Sequence, residues 1–442
     1  MPPDGAPAAA MSFGFAGARG QASFAGHPLS PRELARARRW MRCLVDPDLT
    51  DAEALPLAQR LAEVYLRLDP SGRLDYQRAM ASDFDGGSRP RPAAPVHLLR
   101  SSRLLLLRRF NLMPAGLRFL VDLRADVIEA FAAEPALRGL EADLEALLSA
   151  WFDVGLLEMR RLTWHSPASL LEKLVQYEAV HAMSSWSDLK NRLDEDRRCY
   201  AFFHPRLPDE PLIFVEVAFV REMADNIEAL LDESAPVEDV GRARAAIFYS
   251  ISNTQRGLRG LAFGNFLLKR VIEVLRQEAP RVKTFATLSP IPGLSAWVAR
   301  QDEQALAAIA GEAGALALRA AGGAEALGRA GAEAAGAPAL HTALLRLAAH
   351  YLAGTDAMRR PLDAVARFHL GNGARLERLN WAADASVKGW RQSYGLMANY
   401  LYDPGRLDRN RAQLARGRPV LGPSVQALLV PATDRSAVPA ER

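Results

Sequence analysis

The residues whose types and spacing best suit chemistry begin at Phe248-Tyr-Ser-Ile-Ser-Asn-Thr-Gln255-Arg-Gly257-Leu-Arg-Gly260-Leu-Ala-Phe-Gly264. Three glycines, Gly257, Gly260 and Gly264, sit at spacings of three and four. The apolar run Ala245 to Ser252 before them predicts a buried strand, and the Leu-, Val- and Ile-rich run after them predicts a helix to about Glu278. Glycines let the backbone turn tightly and approach a ligand, and the unpaired N–H groups at a helix start attract anions. Gln255, Arg256 and Arg259 add donors and positive charge to the turn, and a second apolar strand, Thr284 to Leu288, follows the helix. Such a cradle suits a pyrophosphate-bearing ligand such as coenzyme A; an ordinary strand-to-helix turn is the alternative. Asn253, Thr254 and Gln255 either reach phosphates or close the turn.

At 442 residues the chain is long enough for two or three domains with sizeable cores. No apolar run approaches the roughly 20 residues that span a bilayer, and the start lacks the basic and apolar regions of a secretory signal. A soluble, cytoplasmic protein with no membrane partner is expected. The only two cysteines, Cys43 and Cys199, lack a neighbouring sulfur or histidine at ligand spacing, which argues against a disulfide framework or a metal site. A net charge of +4, with both signs mixed throughout, argues against a nucleic-acid partner.

The elements that must position the turn read in order. Residues 1–29, rich in Ala, Gly and Pro, are expected to be a mobile segment. Ser30 and Pro31 open a run of amphipathic helices at about Asp51–Leu68, Leu74–Ser82, Gly116–Ala133 and Leu137–Leu157, so 30–163 is expected to be a helical assembly domain. Arg108, Arg109, Arg118 and Arg124 read there as a solvated helix face paired with nearby acids. From 164 to 404 helices alternate with strand-like runs: a hairpin over Arg198–His204 and Leu212–Val220, a helix from about Arg221 to Leu231, then the strand before the turn. An Ala/Gly-rich insertion at 304–337 could be broken helices or partly mobile, a firmer helix follows at Leu340–Leu352, and 405–442 reads as a loosely held tail. His341 and His350, nine residues apart, are read as structural.

Four segments together resemble the malonyl-CoA decarboxylase family: Tyr249 to Gly260, Leu288-Ser-Pro-Ile-Pro-Gly293, Phe368-His-Leu-Gly-Asn-Gly-Ala374 and Asn380-Trp-Ala-Ala-Asp384. Tyr177-Glu-Ala-Val-His181, Arg197-Arg-Cys-Tyr200 and Phe119 to Asp126 add to the match, which runs in order from about Arg108 to Tyr402. The resemblance implies an α+β protein: an all-helical N-terminal domain, then a catalytic domain similar to the GNAT-type N-acetyltransferase fold. It implies conversion of malonyl-CoA to acetyl-CoA and carbon dioxide with no biotin, metal or other cofactor, in a homo-oligomer, dimer or tetramer. The family's serine falls on Ser289 and its histidine on His369. Its coenzyme A turn falls on Arg259, Gly260, Leu261, Ala262, Phe263, Gly264 and Asn265. The chain departs from animal members in its Ala/Gly-rich segment and lacks their C-terminal Ser-Lys-Leu, which favours a bacterial cytoplasm.

Loss of carbon dioxide from a malonyl thioester leaves an enolate, so a site must hold the carboxylate, stabilise the oxyanion and protonate C2. A histidine, whose unperturbed pKa lies near neutrality, suits proton delivery, and His369 is expected in that role. Ser289, just before Pro290, is expected to position the carboxylate or relay a proton. Asn380, Asp384, Tyr394 and Asn399 either orient His369, bind substrate, or cap helices and fill buried hydrogen bonds. An acyl-CoA-dependent N-acyltransferase and a non-catalytic acyl-CoA sensor are the competing functions.

Overall fold

The structure is a computed structural model, and it describes residues 26–83, 101–261, 264–330 and 338–430. The N-terminal part is helical: α1 (Pro31–Leu44), α2 (Asp51–Leu66), α3 (Pro70–Asp83), α4 (Ser101–Phe110), α5 (Gly116–Phe131) and α6 (Arg138–Trp151). Ser30 and Thr50 each close a capping box with the glutamate three residues on, Glu33 and Glu53, which satisfies free N–H groups and fixes where α1 and α2 begin. Their apolar stripes converge on Leu61, Tyr65, Tyr76, Phe110 and Leu120, all buried.

An eight-stranded mixed sheet follows. Its first strand, β1 (Glu158–Leu162), lies on the helical side of the expected boundary at 163 yet pairs antiparallel with β2 (Arg197–His204). Its charged sequence, Glu-Met-Arg-Arg-Leu, gives little apolar signal, as befits an edge strand. Helices α7 (Ala168–Tyr177) and α8 (Trp186–Arg192) lie between β1 and β2 in the chain. β2 forms the expected hairpin with β3 (Leu207–Val220), which pairs antiparallel with β4 (Ala245–Asn253). The helix expected at 221–231 is shorter: α9 spans Ile227–Leu231, because Asn226 caps it by accepting from the Ala229 N–H at 2.9 Å.

After β4 come the glycine turn, α10 (Gly264–Glu278) and β5 (Thr284–Thr287), the strand that pairs parallel with β4. A two-residue strand β6 (Ser289–Pro290) and a helix α11 (Leu294–Val298) follow. The Ala/Gly-rich stretch, where it is described, is broken helix: α12 (Glu303–Ala310), α13 (Glu312–Ala320) and α14 (Gly323–Ala330), interrupted at Gly311 and Gly322, both at positive φ. Then come α15 (Pro338–Ala353), α16 (Ala364–Gly371), β7 (Arg375–Asn380), α17 (Val387–Ser393) and β8 (Met397–Leu401).

The expected loose tail is corrected up to Val430. Helices α18 (Leu407–Leu414) and α19 (Pro423–Leu429) pack back, Val425 is fully buried, and Arg346 donates to the Val430 carbonyl. At the other end, His27 bridges to Leu68, so the expected mobile segment is ordered from Gly26; residues 1–25 lie outside the described ones. One apolar cluster runs from the N-terminal helices, through Leu120 and Val121, to Phe248, Leu258 and Leu267 on the sheet side, so the two parts share a core. His341, read as structural, packs its ring on Trp381 at 4.3 Å. Among the described residues no helix is long and apolar enough to cross a membrane.

Leu327, fully buried in α14, tests whether the Ala/Gly-rich stretch is integral to the fold. Leu327→Ala is expected to lower stability by about 2 to 5 kcal/mol, measured by urea unfolding, because the void cannot be filled by its small neighbours. An unchanged midpoint would show that the stretch contributes nothing to the core.

Candidate active site

Ser289 and His369, 80 residues apart, meet in the interior: the Ser289 hydroxyl lies 3.1 Å from His369 Nε2. Both are almost fully buried. Ser289 is held because β5 ends at Thr287 and the chain crosses to β8 as β6, pairing Ser289 with Ala398. His369 is held because Asp363 caps α16, accepting from the Val365 and Ala366 N–H groups at 2.8 Å each. That cap sets the helix phase that turns His369 toward the sheet.

The other imidazole nitrogen, Nδ1, lies 2.7 Å from the Tyr402 hydroxyl. The ring stacks on Tyr400, centroids 4.6 Å apart and planes within 24°. Ser289 in turn donates to Thr287 Oγ1 at 2.8 Å. One consistent set of donors follows: Tyr402 O–H to Nδ1, Nε2–H to Ser289, Ser289 O–H to Thr287. Burial alone pulls the His369 pKa down to about 3, so the unliganded site holds a neutral imidazole, in contrast to the near-neutral value expected of a free one. A neutral ring between two hydroxyls can pass a proton in either direction, and a π face beside it favours the imidazolium once that forms.

Thr287, Tyr400 and Tyr402 are the neighbours that reading the sequence missed. Their signal was present in the period-two alternation Ala398, Tyr400, Tyr402, which continues the face of β8 opposite Asn399.

The glycine turn divides into an inner and an outer side. Gln255 is buried, its amide donating to Thr254 Oγ1 at 3.1 Å and toward the Pro211 carbonyl at 3.4 Å. Thr254 also donates to Pro211, so both side chains close the turn against β3. Gly257 is a packing position: a Cβ there would overlap the Val121 carbonyl of α5. Arg256 pairs with Glu129. The outer side carries Arg259 and Gly260, both exposed, and the half-buried Leu261. Gly260 has φ +86°, with open space where a Cβ would stand. The Arg259 guanidinium forms no hydrogen bond or ion pair among the described residues. Ala262 and Phe263 lie outside those residues, and Gly264 and Asn265 open α10.

Two of the four supporting residues reach the frame of the site. The Asn399 amide donates to the Thr287 carbonyl at 2.7 Å and the Ala224 carbonyl at 2.9 Å, and its oxygen accepts from Asn380 at 2.8 Å. They therefore hold the backbone beneath Thr287 and do not touch His369. Asp384 accepts from the Ser386 N–H at 3.0 Å and packs on Gly389, at the start of α17. Tyr394 ends α17 at φ +56°, its hydroxyl without a partner among the described residues. Both serve that helix.

Residues 155–438 match the malonyl-CoA decarboxylase C-terminal domain and 91–152 the malonyl-CoA decarboxylase N-terminal domain. The mitochondrial malonyl-CoA decarboxylase of Rattus norvegicus is 39% identical over 320 residues, 67% of this chain and 64% of that protein. The one of Anser anser anser is 37% identical over 326 residues, 67% of this chain and 63% of that protein. The chain thus spans under two thirds of these relatives. A crystal structure of malonyl-CoA decarboxylase from Cupriavidus metallidurans shares 46% identity at a TM-score of 0.77, covering 90% of this chain and 100% of that one. The one from Rhodopseudomonas palustris shares 39% at 0.79, covering 89% and 99%. With both domain models matched in order and the serine and histidine of the resemblance in contact, this chain belongs to the malonyl-CoA decarboxylase family.

Proposed function

We propose that this chain decarboxylates malonyl-CoA to acetyl-CoA and carbon dioxide, with His369 delivering the proton to C2 and Ser289 positioning the carboxylate or relaying the proton. The observation that carries the reading is the buried, uncharged Ser289–His369 pair at 3.1 Å. Its setting supports it. The parallel ladder stops at Phe248 and Thr287; β4 runs on without a β5 partner to Asn253 and the glycine turn, while the other strand bends away through Ser289. An extended thioester arm, its pyrophosphate at the exposed turn, would lie along that unpaired edge with its acid end directed to Ser289.

The low imidazole pKa fits this chemistry. A malonyl carboxylate entering a site without another charge attracts a proton from solvent onto His369, since an opposite charge at close range favours the charged form. Cleavage of the C2–C3 bond then sends its electron pair to the thioester oxygen and releases carbon dioxide. The imidazolium returns its proton to C2, so one proton is consumed per turnover. These steps call on no cofactor, which is what the resemblance implies.

The test is to incubate the purified protein with malonyl-CoA alone, with and without chelator, and to follow acetyl-CoA and carbon dioxide. Acetyl-CoA formation unaffected by chelator supports the reading; no product without an added amine would point to acyl transfer. His369→Ala is expected to lower turnover by roughly 100- to 10,000-fold while coenzyme A still binds. Near-normal turnover would remove His369 from the reaction.

Acid stability checks the neutral imidazole independently. The folded pKa of about 3 lies below the unfolded value, so the unfolded chain binds more protons and stability falls as pH drops below that unfolded value. His369→Gln is expected to remove up to about 1.4 kcal/mol per pH unit from that acid slope, read from unfolding midpoints at pH 7, 5.5 and 4.5. Finally, Gly260→Val is expected to raise the Michaelis constant for malonyl-CoA, because valine is strained at a positive φ and would crowd the exposed turn. An unchanged constant would count against a ligand at that turn.

A further inference from the structure

The arginines of the helical part were expected to form a solvated face, and Arg109 and Arg118 do pair with acids, Asp51 and Asp122. Arg124 pairs with an acid as well, Glu141, but is not solvated. It is 2% exposed, and its Nη1 donates to two carbonyls of the glycine turn, Gly257 at 2.7 Å and Arg259 at 3.0 Å. Its Nη2 donates to Glu141 of α6 at 2.8 Å, so the guanidinium is braced from behind. Beside it, the Val121 carbonyl of α5 sits so close to Gly257 that no side chain fits there.

The consequence follows from peptide geometry. In a trans peptide the carbonyl and the next N–H point in opposite directions. With the Arg259 carbonyl drawn inward to Arg124, the Gly260 N–H is turned outward, and it has no acceptor among the described residues. It therefore faces away from Arg124, on the exposed side of a turn that also carries Arg259, whose guanidinium has no partner among the described residues. One inward hydrogen bond thus aims a backbone donor at the place where an anion would sit.

We propose that Arg124, a residue of the helical domain, is a positioning residue for the diphosphate of the substrate: it orients the Arg259–Gly260 peptide and so couples that domain to nucleotide affinity. The proposal rests on the reading of the turn as a coenzyme A site and adds to it the group that sets its geometry. Arg124 acts through the backbone and touches no reacting atom.

The test compares malonyl-CoA with malonyl-pantetheine, which carries the reacting end and lacks the nucleotide and diphosphate. Arg124→Gln is expected to raise the KM for malonyl-CoA and the Kd for coenzyme A by about tenfold, the scale of one hydrogen bond to a charged group. kcat and the kcat/KM for malonyl-pantetheine should change by less than about threefold. Arg124→Lys, which keeps the charge and a donor on a shorter stem, should recover part of the affinity. Gly257→Ala, which pushes the turn off α5 from the other side, should reproduce the split if Arg124→Gln fails to fold. Equal losses with both substrates would reduce Arg124 to a structural residue and overturn the proposal. So would unchanged coenzyme A affinity in folded Arg124→Gln and Gly257→Ala proteins. If the unaltered protein itself fails to bind coenzyme A, the functional reading falls and the proposal with it; if it binds and the variants bind equally, only the proposal falls.

Discussion

A five-residue strand, β8, is hydrogen-bonded to three others: β5 through Leu401, β6 through Met397 and Ala398, and β7 along its length. Side chains alternate along it, so its register decides two faces at once. On one face Tyr400 stacks on His369, and Tyr402 two residues on reaches the other imidazole nitrogen. On the opposite face Asn399 ties the backbone of Thr287 to Asn380 and to the loop at Ala224. A slip of one residue would exchange the tyrosines for the asparagine and leave buried amide groups against the imidazole. The backbone N–H of Tyr400 also bonds Thr287 Oγ1 at 3.1 Å, which locks that register to the strand leading to Ser289.

The protein handles buried polarity in two ways. Beneath α8 it sets Arg192 against two acids, Asp188 at 2.6 Å and Glu216 at 3.2 Å, and burial pushes the Glu216 carboxyl up from its ordinary value. Around His369 it uses hydroxyls and an aromatic face, and among the described residues no charged side chain is hydrogen-bonded to the ring. A pre-existing carboxylate there would hold the imidazolium permanently and lessen its response to an incoming anion. With no such carboxylate bonded to it, the buried ring stays neutral.

The two family domains are not independent bodies joined by a linker. Val121 and Arg124 of α5 meet the glycine turn directly, one by steric fit and one by hydrogen bonds, and a single apolar core runs beneath the contact. The helical part thereby forms one wall of the glycine turn, a contact that the assembly role expected of it did not include.

The local elements and the Ser289 and His369 motifs of the candidate site were legible in the sequence, whereas their neighbours Thr287, Tyr400 and Tyr402 were not read from it. Capping residues such as Ser30, the glycine-broken strand-to-helix passage after Asn253, and the motifs around Ser289 and His369 are written in neighbouring residues, because turns, caps and amphipathic periods depend on spacings of a few positions. Only the tertiary structure decided which polar groups meet. Arg118 and Arg124 stand on the same helix and both pair with an acid, and nothing in their local spacing separates the partly exposed one from the one inserted under the turn. The charged strand β1 and the tail helices α18 and α19 were likewise illegible, since their order comes from partners far away in the chain, Tyr200 and Cys199 for β1, Leu376 and Arg346 for the tail. Burial made the last decision: the same imidazole that would titrate near neutrality in water is held neutral here, because desolvation belongs to the packed fold and to no residue's own chemistry.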